Sequence, residues 1–137
     1  MRVVALILLS STSCLAGEPT PAALEFFEAK VRPILVENCF ACHGEKQQEL
    51  GLRLDSRAAV VKGSERGPVV ALGEPEKSKL IAAVRQSGEL KMPKNGKLNP
   101  EAIEALSTWV KLGLPYPETN PPSAKVDPRQ HWAFQPL

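Results

Sequence analysis

The residues best suited to chemistry lie together in the run Cys39-Phe40-Ala41-Cys42-His43. The chain of 137 residues has only three cysteines and two histidines, so most of its thiol and imidazole groups fall within these five positions. Two thiols separated by two residues can bind a metal ion, exchange with disulfides, or form thioether bonds to a haem whose iron the next histidine binds. The surrounding sequence has to distinguish among these three kinds of site.

A redox-active dithiol usually follows a strand and begins a helix, and no strand pattern precedes Cys39. A structural zinc site needs four ligands, and beyond these three the mature chain offers only His131. The haem interpretation needs no further cysteine or histidine. On a helical turn, positions i and i+3 share one face, so both sulfurs can reach one porphyrin edge. The run therefore predicts one covalently bound haem c, with thioethers at Cys39 and Cys42 and with His43 as the proximal iron ligand.

The sixth iron position has two candidate ligands, Met92 and His131, and the alternative is a water molecule or an open position. Methionine in a loop is often a gap-filling core residue. Around Met92, however, the neighbours are polar, which disfavours deep burial for packing alone. These neighbours are Lys91, Lys94, Asn95 and Lys97. We predict Met92 as the distal ligand, and a thioether at this position raises the reduction potential of the iron.

The first residues are typical of an export signal. Arg2 is followed by an apolar run over residues 3–9, small polar residues, and a small residue, Ala16, suited to cleavage. The apolar run is too short to span a bilayer. Lipoprotein processing at Cys14 is the disfavoured alternative, because the residues before it lack the usual pattern. We predict a signal peptide over residues 1–16, a periplasmic or cell-envelope location, and a mature chain without a transmembrane helix.

The elements that must position these residues are predicted to be helices. Thr20 is typical of a helix cap and Pro21 of a first helical position. Apolar residues then recur at helical spacing, at Leu24, Phe27, Val31, Ile34 and Leu35. Pro33 is expected to interrupt this helix, because it lacks a backbone donor.

Two further helices follow the motif. One is predicted over residues 74–84, and a longer one begins with the cap Asn99 and Pro100 and ends at Gly113. No segment alternates long enough to predict a strand. The fold class is therefore all-α: a few short helices and long loops around a cofactor, in a domain over residues 20–114.

The remaining residues, 115–137, are rich in proline and predict a semi-rigid linker. It ends in an apolar, aromatic tail over residues 131–137, which begins with His131 and Trp132. Such a tail either folds back on its own domain or docks on a further domain or subunit, and the second is favoured.

Composition excludes one class of partner. The chain is 43% hydrophobic and 23% charged, with a formal net charge of +2. Nucleic-acid binding requires a concentrated basic field, which this balance does not supply.

Several runs together resemble the cytochrome c-like domain of planctomycete proteins. The likeness covers roughly residues 25–117. It rests on residues 29–35, 39–44, 51–57, 73–81, 92–93 and 105–110. The resemblance implies a small cytochrome c-like fold with His43 and Met92 as axial ligands. In larger proteins of this family the domain lies at the N-terminus and a His-Trp-Ala-Phe-like run leads to further domains, so this chain resembles such a first module.

The sequence departs from the family at two places. Family members have a Met-Pro-Pro-like run where this chain has Met92-Pro93-Lys94, which keeps the ligand and loosens the loop. The family's glycine-rich turn before Gly67 is replaced here by Gly63-Ser64-Glu65-Arg66.

The expected function is electron transfer and not catalysis. A carrier fills both axial positions, whereas a peroxidase or a sensor keeps the distal position open beside a base or donor. No such base other than His131 is evident, and this favours electron transfer. A peroxidase-like haem enzyme and a ligand-sensing module are the alternatives. The lysines at 91, 94 and 97 are expected to surround the haem edge and to dock a redox partner protein, or else to be ordinary solvated charges.

Overall fold

The computed structural model describes residues 18–117. Within this part of the chain every regular element is helical, and strand-like pairing is limited to two isolated bridges. The predicted all-α class is confirmed for these residues. The α-helices in chain order are α1 (Pro21–Phe26), α2 (Arg32–Asn38), α3 (Phe40–His43), α4 (Arg57–Lys62), α5 (Lys79–Arg85) and α6 (Pro100–Lys111). A π-helical turn (Phe27–Val31) and two 3₁₀ turns (Glu49–Gly51 and Pro75–Lys77) complete the set. The predicted signal peptide and the tail with His131 lie outside the described residues.

The N-terminal segment consists of α1, the π turn and α2. It begins and is interrupted at the residues that the sequence predicts. The Oγ1 atom of Thr20 accepts a hydrogen bond from the Ala23 amide at 3.2 Å. Pro33 lies in the first turn of α2, and the helix widens into a π turn just before it. Proline cannot donate to the preceding turn and its ring crowds it. In the widened turn the Arg32 amide instead donates to the Phe27 carbonyl.

The predicted helix over residues 74–84 forms as two pieces. The 3₁₀ turn Pro75–Lys77 and α5 are separated by Ser78, whose backbone is extended (φ −86°, ψ 121°). The buried Ser78 hydroxyl donates to the Glu74 carbonyl at 3.0 Å and accepts from the Ala71 amide at 2.9 Å. These bonds offer the backbone an alternative to helix continuation, which explains the break.

Helix α6 has the boundaries that the sequence predicts. The Oδ1 atom of Asn99 accepts from the Ala102 amide at 2.7 Å, and Pro100 occupies the first turn. Beyond the last turn, Gly113 adopts a left-handed conformation with φ +81°, which glycine accommodates without steric cost.

The core lies between the N-terminal segment and α6. Phe27 and Trp109 are fully buried, with ring centroids 5.9 Å apart. Tyr116 packs against Phe27 at 4.3 Å, and the indole N–H of Trp109 donates to the Pro115 carbonyl at 2.9 Å. Pro115 and Tyr116 are therefore buried in this core, although the sequence analysis placed them in the linker. In the part of the chain that the structure describes, no helix is long and apolar enough to cross a bilayer.

Candidate haem site

Cys39, Cys42 and His43 lie on one turn where α2 passes into α3. The Cys39 amide donates to the Leu35 carbonyl at 2.9 Å, so the end of α2 fixes the start of the motif. The Cys39 carbonyl in turn accepts from the amides of Cys42 and His43 at 3.1 and 2.9 Å. This single turn brings both thiols and the imidazole together, as the spacing predicts.

The two cysteines are not joined to each other. Cys39 is half-buried and Cys42 is exposed, and both are free thiols. Burial, with a smaller contribution from Cys42, raises the pKa of Cys39 to about 11. Reactive redox cysteines have a lowered pKa, because the thiolate is the nucleophile. The environment of Cys39 is therefore unlike that of a redox-active dithiol.

The zinc alternative gains no support from the fold. Within residues 18–117 no group of three or more His, Cys, Asp or Glu side chains is arranged to hold a metal ion. The remaining candidate ligand, His131, lies outside the described residues.

The backbone of His43 is held by hydrogen bonds, whereas its ring atom Nδ1 has no hydrogen-bond partner among the described residues. Its amide donates to Cys39, and its carbonyl accepts from the Leu54 amide at 2.8 Å. The ring atom Nδ1 is buried and has no hydrogen-bond partner among the described residues. An unpaired buried polar atom costs about 1–3 kcal/mol and calls for an explanation such as a functional role. A buried imidazole nitrogen that no protein group satisfies is consistent with a bound group at this ring, so His43 fits the role of a haem ligand.

Several apolar side chains of the domain are only partly covered by the protein. They pack against the buried core and still expose part of their surface. This set comprises Phe26, Ile34, Phe40, Val69, Val70, Leu80, Ala102 and Ile103. An apolar macrocycle would cover such surface and gain the free energy of burying it. The thiols and the imidazole of the motif therefore fit a haem, and the domain has partly covered apolar side chains that an apolar group could cover.

Met92 lies on the loop between α5 and α6, residues 86–99, which we call the Met92 loop and which α5 holds in place. The Met92 amide donates to the Ala83 carbonyl at 3.0 Å, and the Met92–Pro93 peptide bond is cis. The Gln86 side chain, at the left-handed end of α5, donates to the Gly96 carbonyl at 2.8 Å. Met92 itself is half-buried. Sequence reasoning missed the part played by Gln86, because a single glutamine after a helix carries no distinctive signal.

The lysines beside Met92 are exposed. Among the ion pairs of the described residues, none includes Lys91, Lys94 or Lys97. The adjacent Leu90 is 49% exposed. The loop thus presents charge and some apolar surface to solvent.

Comparison with known proteins finds one protein family that part of the chain resembles. Residues 39–96 match the family model described as planctomycete cytochrome C. This match supports a planctomycete-type cytochrome c domain in the chain. The match begins at Cys39 and includes His43 and Met92, and in general such a domain binds haem as a c-type cytochrome. No curated protein and no solved structure shows a match to the chain.

The structure packs further residues onto the matched part of the cytochrome domain. Helix α6 and the N-terminal segment supply Phe27, Trp109 and most of the buried aromatic surface. The packed unit is therefore larger than the matched residues.

Proposed function

We propose that this chain is an exported mono-haem electron carrier. One observation carries the proposal: both thiols and an imidazole with a buried, unpaired Nδ1 atom lie on a single helical turn. That arrangement offers two covalent anchors and one iron ligand from five consecutive residues. Residues 1–16, with the pattern of an export signal, support export.

A bound haem supplies an iron ion that gains and loses one electron. The residues of the chain determine what that ion can do. Cys39 and Cys42 would hold the group covalently, so it would not dissociate. His43 would bind the iron, with its backbone fixed by hydrogen bonds with Cys39 and Leu54.

Met92 is proposed to fill the other axial position. Its backbone is held by Ala83, and the hydrogen bond between Gln86 and Gly96 ties the far side of the loop to the same helix. A loop fixed at both sides can present its thioether at a defined place. If His43 and Met92 both bound the iron, no position would be left for a substrate, and this favours a carrier over a peroxidase or a sensor.

The exposed lysines of the Met92 loop support docking of an acidic redox partner. Complementary charge raises the rate of encounter more than it raises affinity. Leu90 adds apolar surface beside these charges. A partner that meets this loop would approach the proposed distal side of the haem.

Covalent attachment tests the core of the proposal. Replacing both Cys39 and Cys42 with alanine should remove all haem stain from a denaturing gel of protein made in cells with haem-attachment machinery. The unmodified chain should keep its stain, because unfolding does not break thioethers. As a matched control, Cys14→Ala should leave the stain unchanged, since that cysteine lies in the predicted signal. Haem that migrates at the dye front, with an unmodified polypeptide mass, would exclude a c-type cytochrome.

A further inference from the structure

Tyr116 is held in the core by contacts on several sides. Its ring lies 4.3 Å from the Phe27 ring, and the Arg32 guanidinium lies 5.6 Å from its centroid. Only 3% of the residue is exposed. Its hydroxyl donates to the Leu54 carbonyl at 3.2 Å, a bond between residues 62 positions apart. Tyr116 therefore joins the segment after α6 to the segment after the haem motif.

Leu54 is also bonded on its other side. Its amide donates to the His43 carbonyl at 2.8 Å, and the residue is 1% exposed. Two hydrogen bonds thus connect Tyr116 to His43 through one buried residue. The two bonds use the peptide groups on either side of the Leu54 Cα atom, so together they fix the position of the Leu54 backbone relative to His43.

We propose that Tyr116 is a positioning residue for His43, acting through Leu54. The inference rests on the proposed function, in which His43 binds haem iron. An iron-binding histidine is usually oriented by a hydrogen bond from its second ring nitrogen. In the described chain Nδ1 of His43 has no such partner. The placement of the imidazole then depends on its backbone, which the bond from Leu54 fixes.

The chemistry of Tyr116 suits this role. The phenol must be protonated to donate to a carbonyl, and burial raises the pKa of Tyr116 to about 12. The group therefore remains a donor throughout the neutral range. Because this residue directly precedes the proline-rich segment, displacement of that segment would reach His43 through the same two bonds.

The test compares two variants of the haem-loaded full chain. Tyr116→Phe removes the hydroxyl and keeps the ring. Ser78→Ala is the matched control, since it also removes a buried hydroxyl that donates to a backbone carbonyl, but one with no bond to Leu54 or His43. The readouts are the paramagnetic proton resonances of the haem methyls and the His43 ring in the oxidised protein, and hydrogen exchange at the Leu54 amide.

In Tyr116→Phe we expect the His43 and haem-methyl resonances to shift. The Leu54 amide should exchange about tenfold faster than the change in global stability explains, because a buried carbonyl loses its partner. Ser78→Ala should leave both readouts unchanged after the same correction. Equal shifts in the two variants, or none in Tyr116→Phe, would overturn the proposal. Absence of bound haem in the unmodified chain would instead contradict the proposed function, and the denaturing gel detects that separately.

A second substitution keeps the test decisive if Tyr116→Phe fails to fold. The chain contains one tyrosine, so 3-fluorotyrosine supplied during expression enters at position 116 alone. Fluorination makes the phenol a stronger donor and hardly changes its size. The same resonances should then shift in the fluorinated protein, with slower exchange at the Leu54 amide. Unchanged resonances and exchange would contradict the proposal.

Discussion

At the scale of single residues, the proposed haem ligands are held in different ways. The imidazole of His43 belongs to a short helical turn and is anchored through backbone bonds to Cys39 and Leu54. The thioether of Met92 belongs to a loop that is held by the hydrogen bond from the Met92 amide to Ala83 and by the bond from Gln86 to Gly96. Replacing Met92 should therefore alter the iron's properties without disturbing the covalent anchors.

Met92→Ala should leave haem covalently bound and lower the reduction potential. A thioether stabilises the reduced iron, and axial-ligand identity sets haem potentials over about 0.8 V. The open position should also admit cyanide, which the absorption spectrum detects. Potentiometric titration of the purified variant measures the first effect.

His131→Ala is the matched control for Met92→Ala, because His131 is the other candidate ligand in the sequence. It should change neither the spectrum nor the potential. If His131→Ala alters both while Met92→Ala alters neither, the assignment of Met92 as distal ligand is wrong. Rapid peroxide binding by the unmodified protein would contradict the carrier function itself.

At the scale of elements, the helices are short and depend on caps and on contacts between elements. Helix α3 has four residues, far below the length at which an isolated helix is stable in water. It persists because the end of α2 holds Cys39 and because Leu54 holds His43. Helix α6 is longer, with 12 residues, and brings Trp109 and Val110 into the core. Its cap should therefore matter to the whole domain.

Asn99→Ala should lower the free energy of unfolding by about 1 kcal/mol, because the Ala102 amide loses its acceptor. Denaturant titration of the haem-loaded protein measures the change. Asn95→Ala is the matched control, since Asn95 is exposed in the Met92 loop, and its effect should stay within about 0.5 kcal/mol. Equal losses in the two variants would show that the cap of α6 does not stabilise the domain.

At the scale of the whole molecule, charge is unevenly distributed. The Met92 loop has three exposed lysines outside the ion pairs of the described residues, whereas Arg32, Arg53 and Arg85 each pair with a carboxylate. The loop is thus a local cationic surface on a chain whose net charge is only +2. Attraction between such surface charges weakens within a Debye length of about 10 Å at 0.1 M salt.

Reversing Lys91, Lys94 and Lys97 to glutamate should slow electron exchange with a small acidic redox protein by at least about tenfold at low salt. The same triple change should remove the decrease in rate that the unmodified protein shows as salt rises. Stopped-flow absorbance of the haem band measures both.

A control with the same change in net charge separates a local surface from the overall charge. Lys30, Lys62 and Lys79 are exposed elsewhere on the domain, and reversing them should slow exchange much less. An unchanged salt dependence after reversal at the Met92 loop would exclude it as the docking surface.

The sequence by itself determined the features that depend on neighbouring residues. The spacing of Cys39, Cys42 and His43 predicts that all three lie on one helical turn, and the structure places them on such a turn. The covalent haem that the same spacing predicts stays a prediction. The cap of α6 and the interruption before Pro33 were predicted for the same reason, because each follows from bonds within a few residues. The assignment of Met92 as an iron ligand stays a prediction.

Only the tertiary structure decided the features that join distant residues. Ser78 breaks a predicted helix because its hydroxyl meets Ala71 and Glu74 in a fold of the chain. Tyr116 lies in a run of prolines, and nothing in that local pattern predicts a core position. In the structure it nevertheless contacts Phe27 and donates a hydrogen bond to Leu54. Such contacts depend on how separate elements pack, and a sequence pattern with a period of a few residues carries no information about them.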